Sequence, residues 1–166
     1  MKSIVERRQF INHIEQILHV PGNYSGGILE MTLVVDCSLA KKFVLSETGE
    51  YFGFLKQHSP VFANVRLNVV FWQNDTTIRN EVTSITMLQI GRPFAEMPFD
   101  DSVKNPVVLL EYLKKFHARS KLILVLGQTG AYADKRTVVI DAFQGEDRQR
   151  AQDALQPFLH RKILFL

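Results

Sequence analysis

The chain holds one cysteine, Cys37, in 166 residues. No internal disulfide can form, so a disulfide scaffold is excluded and a reducing compartment is the expected setting. No apolar run approaches the ~18 residues of a membrane span. The first ten residues carry charge where a signal peptide needs an apolar core. These absences make a cytoplasmic protein without a membrane partner the expectation. Net charge is scarce too, with 20 Lys and Arg against 17 Asp and Glu leaving +3. The basic residues are dispersed among acids rather than gathered into a stripe with aromatic platforms, so they read as a solvated surface and not as a nucleic-acid interface.

Local catalytic signatures are missing as well. The sequence has no GxxxxGK[ST] phosphate loop, no GxGxxG after an apolar run, no GxSxG elbow, and no HExxH or CxxC. The stretch Gly127-Gln128-Thr129-Gly130 bears glycines but does not lead into a long helix, and it reads as a turn. Nothing local lowers the pKa of Cys37, which reads as a small buried residue. No resident cofactor is expected.

What is present is a packable chain, 46% hydrophobic and 22% charged, in the range of soluble globular domains and outside that of disordered ones. Apolar spacing near 3.6 predicts a helix over residues 3–20, stopped by Pro21-Gly22-Asn23. A continuous apolar run ending in Asp36 predicts a strand at residues 28–36, covered on both faces. A helix at 46–58, strands at 65–72 and 77–87, a helix at 107–118 and strands at 121–126 and 138–142 follow. A helix at 146–159 and a short strand at 162–166 close the chain. This alternation predicts one α/β domain over residues 1–166, with a mainly parallel sheet, one antiparallel edge strand and helices on both faces. Residues 1–22 are expected to form a helix packed on the sheet, and residues 28–166 the core.

In such sheets ligands bind outside the carboxyl ends of the strands. That places Asp36-Cys37-Ser38, Asn74-Asp75, the 127–130 turn and Asp141 at the candidate edge. The long irregular stretch from Gly91 to Pro106 contains Phe94, Met97, Phe99 and the acidic pair Asp100-Asp101. Its apolar residues must tuck into the domain or meet a partner.

The strand end Val34-Val35-Asp36-Cys37-Ser38-Leu39-Ala40 resembles the opening of the von Willebrand factor A (vWA) metal-site motif, Asp-x-Ser-x-Ser. The resemblance covers residues 28–166 and implies a Rossmann-like sheet whose Asp36 and Ser38 offer hard oxygen ligands to a dication such as Mg²⁺. Ala40 stands where the motif has its second serine, and Gln128 stands where a later motif has aspartate. The implied metal-ion-dependent adhesion site is therefore degenerate, with weak Mg²⁺ binding at most.

Two functions follow as expectations. One is a non-enzymatic protein–protein interaction or adaptor module, or a subunit of a larger complex. It would use Asp36, Ser38, the 92–101 loop and the 128–132 loop. The other is a small Mg²⁺-dependent hydrolase or nuclease with Asp36, Asp75 and Asp141 converging on metal.

Overall fold

A computed structural model of the chain describes residues 29–58, 65–127, 145–158 and 162–165, together with residues 8 and 12. The packing expected of the N-terminal helix and the strand expected at 138–142 lie outside the described residues. The elements run β1 (Leu29–Asp36), α1 (Lys41–His58), β2 (Val65–Trp72), β3 (Ile78–Thr83) and α2 (Ile85–Gln89). A 3₁₀ turn (Arg92–Phe94), α3 (Pro106–Phe116), β4 (Leu122–Leu126), α4 (Gly145–Leu155), a second 3₁₀ turn (Gln156–Phe158) and β5 (Lys162–Phe165) complete the series.

The strands lie in the order β3-β2-β1-β4-β5. β1 runs parallel to both β2 and β4, β4 runs parallel to β5, and β3 alone is antiparallel, against β2. The chain moves outwards from β1 in one direction and then returns to build on its other side. Right-handed crossovers travelling in opposite directions put their helices on opposite faces. The result is the mainly parallel, Rossmann-like α/β architecture that the alternation of elements predicts.

Each strand feeds both faces because successive side chains alternate. Met31, Leu33, Val35 and Cys37 pack with Leu67, Val69 and Phe71, with Leu122 and Leu124, and with Val44, Phe52 and Leu55 of α1. Val34, Val70, Trp72, Ile123 and Val125 pack on the other side against Val107, Leu110 and Leu113 of α3 and Ala151 and Ala154 of α4. Strands buried on both faces have no polar side to display, hence the apolar runs Leu33–Val35, Val69–Trp72 and Leu122–Leu126. Leu109 is also buried, while Val108 is only half-buried.

Two boundaries differ most from the sequence pattern. The strand expected at 77–87 ends at Thr83, because the Ser84 hydroxyl accepts from the Met87 amide at 3.2 Å and starts α2. Helix α1 begins at Lys41 rather than 46, with the Val44 amide already donating to the Ala40 carbonyl at 3.1 Å. Alanine carries no capping side chain, so nothing in the sequence marks that start. Gly91 turns the chain out of α2 at φ 75°, a left-handed conformation that favours glycine. No helix among the described residues is long and apolar enough to cross a membrane.

A small polar cluster interrupts the α3-side core. Thr32 Oγ1 and Ser120 Oγ share a 2.6 Å hydrogen bond, and His117 Nδ1 stands 3.5 Å from Thr32 Oγ1. His117 Nε2 is buried with no hydrogen-bond partner, and the Tyr112 ring lies beside it at 5.6 Å. Burial holds the His117 pKa below its ordinary value, only partly offset by the Glu30 carboxylate. The unfolded chain therefore takes up this proton first as pH falls. Stability from His117 is retained above the ordinary histidine value of about 6.5 and is lost below it. Urea midpoints at about pH 7 and about pH 5 should differ less in His117→Phe than in the wild type; equal differences would exclude this role.

Candidate functional site at the carboxyl edge of the sheet

β1 is the central strand, and Asp36 is its last residue. Past it the chain turns at once: the Ser38 amide donates to Asp36 Oδ1 at 2.9 Å, and the Leu39 amide donates to the Asp36 carbonyl at 3.1 Å. Asp36 and Ser38, paired in the sequence motif, are thus brought together by this Asx turn. The backbone continues the sheet for one more residue, where the Cys37 amide donates to the Trp72 carbonyl at 3.1 Å. Cys37 is fully buried, and its thiol pKa is pushed up to about 11, chiefly by burial and next by the neighbouring Asp36 carboxylate. A thiol held protonated in this way is no nucleophile.

The long loop after the Arg92–Phe94 turn crosses this edge from one face of the sheet to the other. Phe94 is anchored in the α1-side core, edge-on to Phe71 with ring centroids 6.0 Å apart. Met97 is partly buried against the same cluster. At the far end Val107 is buried in the α3-side core. Between these anchors the Asp100 amide donates to the Cys37 carbonyl at 3.0 Å.

Lys104 fastens the crossing. Its ammonium lies 3.2 Å from Asp36 Oδ1 and donates to the carbonyls of Asp100 at 3.0 Å and Ser102 at 3.1 Å. Three oxygens match the three donors of an ammonium group. The Lys104 side chain is only 5% exposed. A buried cation of this kind persists only when paired and hydrogen-bonded, and here it is both.

Polar residues of the neighbouring strand ends are engaged in the same layer. Asn74 Nδ2 donates to Asp100 Oδ2 at 3.0 Å, and the Ser102 amide donates to Asp100 Oδ1 at 2.9 Å. Hydrogen bonds from the Ser102 hydroxyl, from Asn74 and from the Ser102 amide lower the Asp100 pKa to about 2. Both carboxylate oxygens of Asp75 accept from the Asn105 amide, at 2.9 and 3.2 Å. Asn105 in turn caps α3, its Oδ1 accepting from the Val107 amide at 3.1 Å. Its Nδ2 reaches Asp147 of α4 at 3.4 Å.

These contacts decide what the edge can do chemically. A dication at Asp36 would meet the ammonium of Lys104 already bound there, so the residues present do not fit a metal while Lys104 holds that position. No group of three or more His, Cys, Asp and Glu side chains that could hold a metal ion occurs among the described residues. Asp75, a ligand in the hydrolase alternative, is occupied in holding the start of α3. Asp141, Gln128 and the rest of the 128–132 loop lie outside the described residues. Lys104 escaped the sequence reading because no local pattern marks a lysine as the buried partner of a distant carboxylate.

Two apolar residues of the crossing loop do not tuck in: Phe99 is 68% and Val103 96% exposed. Glu96 and Asp101 are exposed in the same loop, and Asp100 is half-buried. The pinned loop thus carries apolar side chains among carboxylates.

Searches with this chain match no family model, no curated protein and no solved structure.

Removing Lys104 leaves the Asp36 carboxylate buried without its cation. Lys104→Met should lower unfolding free energy by about 3 kcal/mol, and Asp36→Asn combined with Lys104→Met should recover part of it. Urea unfolding of the two single variants and the double variant measures the coupling. A Lys104→Met loss within about 0.5 kcal/mol of zero would refute the fastening role.

Proposed function

We propose that the chain is a vWA-like, non-enzymatic protein-interaction or adaptor module that uses the carboxyl edge of its sheet. The observation that carries this reading is the exposure of Phe99 and Val103 on a loop whose middle is fixed by Lys104 and Asp36. Exposed apolar side chains on a mobile loop lose entropy when a partner orders them. On a fastened loop much of that ordering is complete before contact, which favours binding.

In this reading Lys104 supplies the positive charge that the vWA motif would otherwise take from a metal. The edge then needs no dication to hold its shape. Both Asp36, at the end of the central strand, and the Ser38 turn beside it support the vWA likeness. The partner's chemistry follows from the loop. Phe99 and Val103 call for an apolar pocket, and Glu96, Asp100 and Asp101 favour Lys or Arg around its rim.

A peptide-display library panned against the purified chain should return sequences with a large apolar side chain flanked by Lys or Arg. Binding should weaken at higher salt and be lost in Phe99→Ser/Val103→Ser, whose unfolding free energy should stay within about 1 kcal/mol of the wild type. Absence of enrichment, or enrichment that survives the double substitution, would refute the proposed surface.

A further inference from the structure

The side of the sheet carries a second feature, separate from the carboxyl edge. β3 is the outermost strand, and among the described residues only β2 pairs with it. An open edge strand presents unpaired N–H and C=O groups to other chains.

The hydrogen-bonding phase of this edge follows from the β2–β3 hairpin. The amides of Gln73 and Asn74 both donate to the Thr77 carbonyl, at 3.1 and 3.4 Å, which is a bulge opposite Thr77. Because antiparallel pairs alternate, Arg79, Glu81 and Thr83 turn their backbone groups towards β2. Ile78, Asn80 and Val82 turn theirs outwards. Side chains alternate across the sheet in the same register. The Arg79 guanidinium lies over the Phe71 ring at 5.1 Å on the α1 side, and Ile78 packs with the α3-side cluster.

Read outwards from Asn80, the sequence is self-complementary: Arg79 mirrors Glu81, Ile78 mirrors Val82, and Thr77 mirrors Thr83. We propose that two copies of the chain form a two-fold homodimer by antiparallel pairing of their β3 strands, centred on Asn80. The outward backbone groups of Asn80 meet those of Asn80 in the second copy, and those of Ile78 meet those of Val82. Arg79 then faces Glu81 of the second copy in a non-hydrogen-bonded pair, where opposed side chains lie closest. Val82, 58% exposed in the single chain, gains Ile78 of the second copy as its neighbour.

Charges on an edge strand ordinarily discourage pairing. Here the two charges are opposite in sign and placed symmetrically about Asn80, so an isologous contact joins unlike charges twice. The proposal does not rest on the carboxyl-edge reading. A two-fold axis through Asn80, normal to the sheet, would point the two carboxyl edges in opposite directions.

Sedimentation equilibrium of the full chain over a range of concentrations tests this. The wild type should associate to a dimer. Arg79→Glu and Glu81→Arg, each placing like charges opposite one another, should each weaken association at least about tenfold. Mixing these two single variants should restore a dimer, because both carboxylates of the first variant then face guanidinium groups of the second. Restoration also shows that both variants are folded. A wild type that stays monomeric, or a dimer indifferent to both substitutions, would overturn the proposal.

Discussion

A buried ammonium next to a buried carboxylate organises the carboxyl edge of this sheet. Burying either charge without a partner would be costly. Together, Lys104 and Asp36 satisfy one another, and the carbonyls of Asp100 and Ser102 take the remaining ammonium donors. The pair also joins the end of the central strand to a loop that passes from one core to the other. Its loss would uncouple β1 from the start of α3, and with it the hydrogen bonds that Asp75 and Asn105 make to the same loop end.

In the proposed reading, this arrangement separates stability from recognition. The two apolar clusters on either face of the sheet account for the bulk of packing, whereas the edge above them is polar and cross-linked through Asp36, Asp100 and Lys104. Phe99, Val103 and their acidic neighbours project from it. The side of β3 away from β2, unpaired among the described residues, is a different kind of surface, made of backbone groups and a symmetric charge pattern. If the carboxyl edge binds a partner and β3 joins two copies, the assembly is a bivalent adaptor whose two binding edges face apart. Linking two sites in this way raises avidity for a repeated partner without any new contact at either site.

The fold was legible because strands buried on both faces leave apolar runs, as at Leu33 to Val35 and Leu122 to Leu126. Where the pattern misled, short-range chemistry had overridden periodicity. Ser84 capped a helix inside apparent alternation, and α1 started at Lys41, directly after Ala40, which carries no capping side chain. At the edge, Asp36 and Ser38 were legible as a local motif, and the structure brings them together in one turn. Lys104 was not, because its role depends on a loop folding back across the sheet. The division among the loop's apolar residues was equally hidden: Phe94 is buried and Phe99 exposed, and sequence composition treats both alike.

Whether Lys104 holds the cation position beside Asp36 is decided by calorimetric titration of Mg²⁺ and Mn²⁺ into the wild type, Asp36→Ala and Lys104→Ser. The wild type should give no binding heat that depends on Asp36, since the ammonium already occupies the carboxylate. Wild-type binding that Asp36→Ala abolishes would contradict this, and would return the edge to metal-dependent adhesion or hydrolysis.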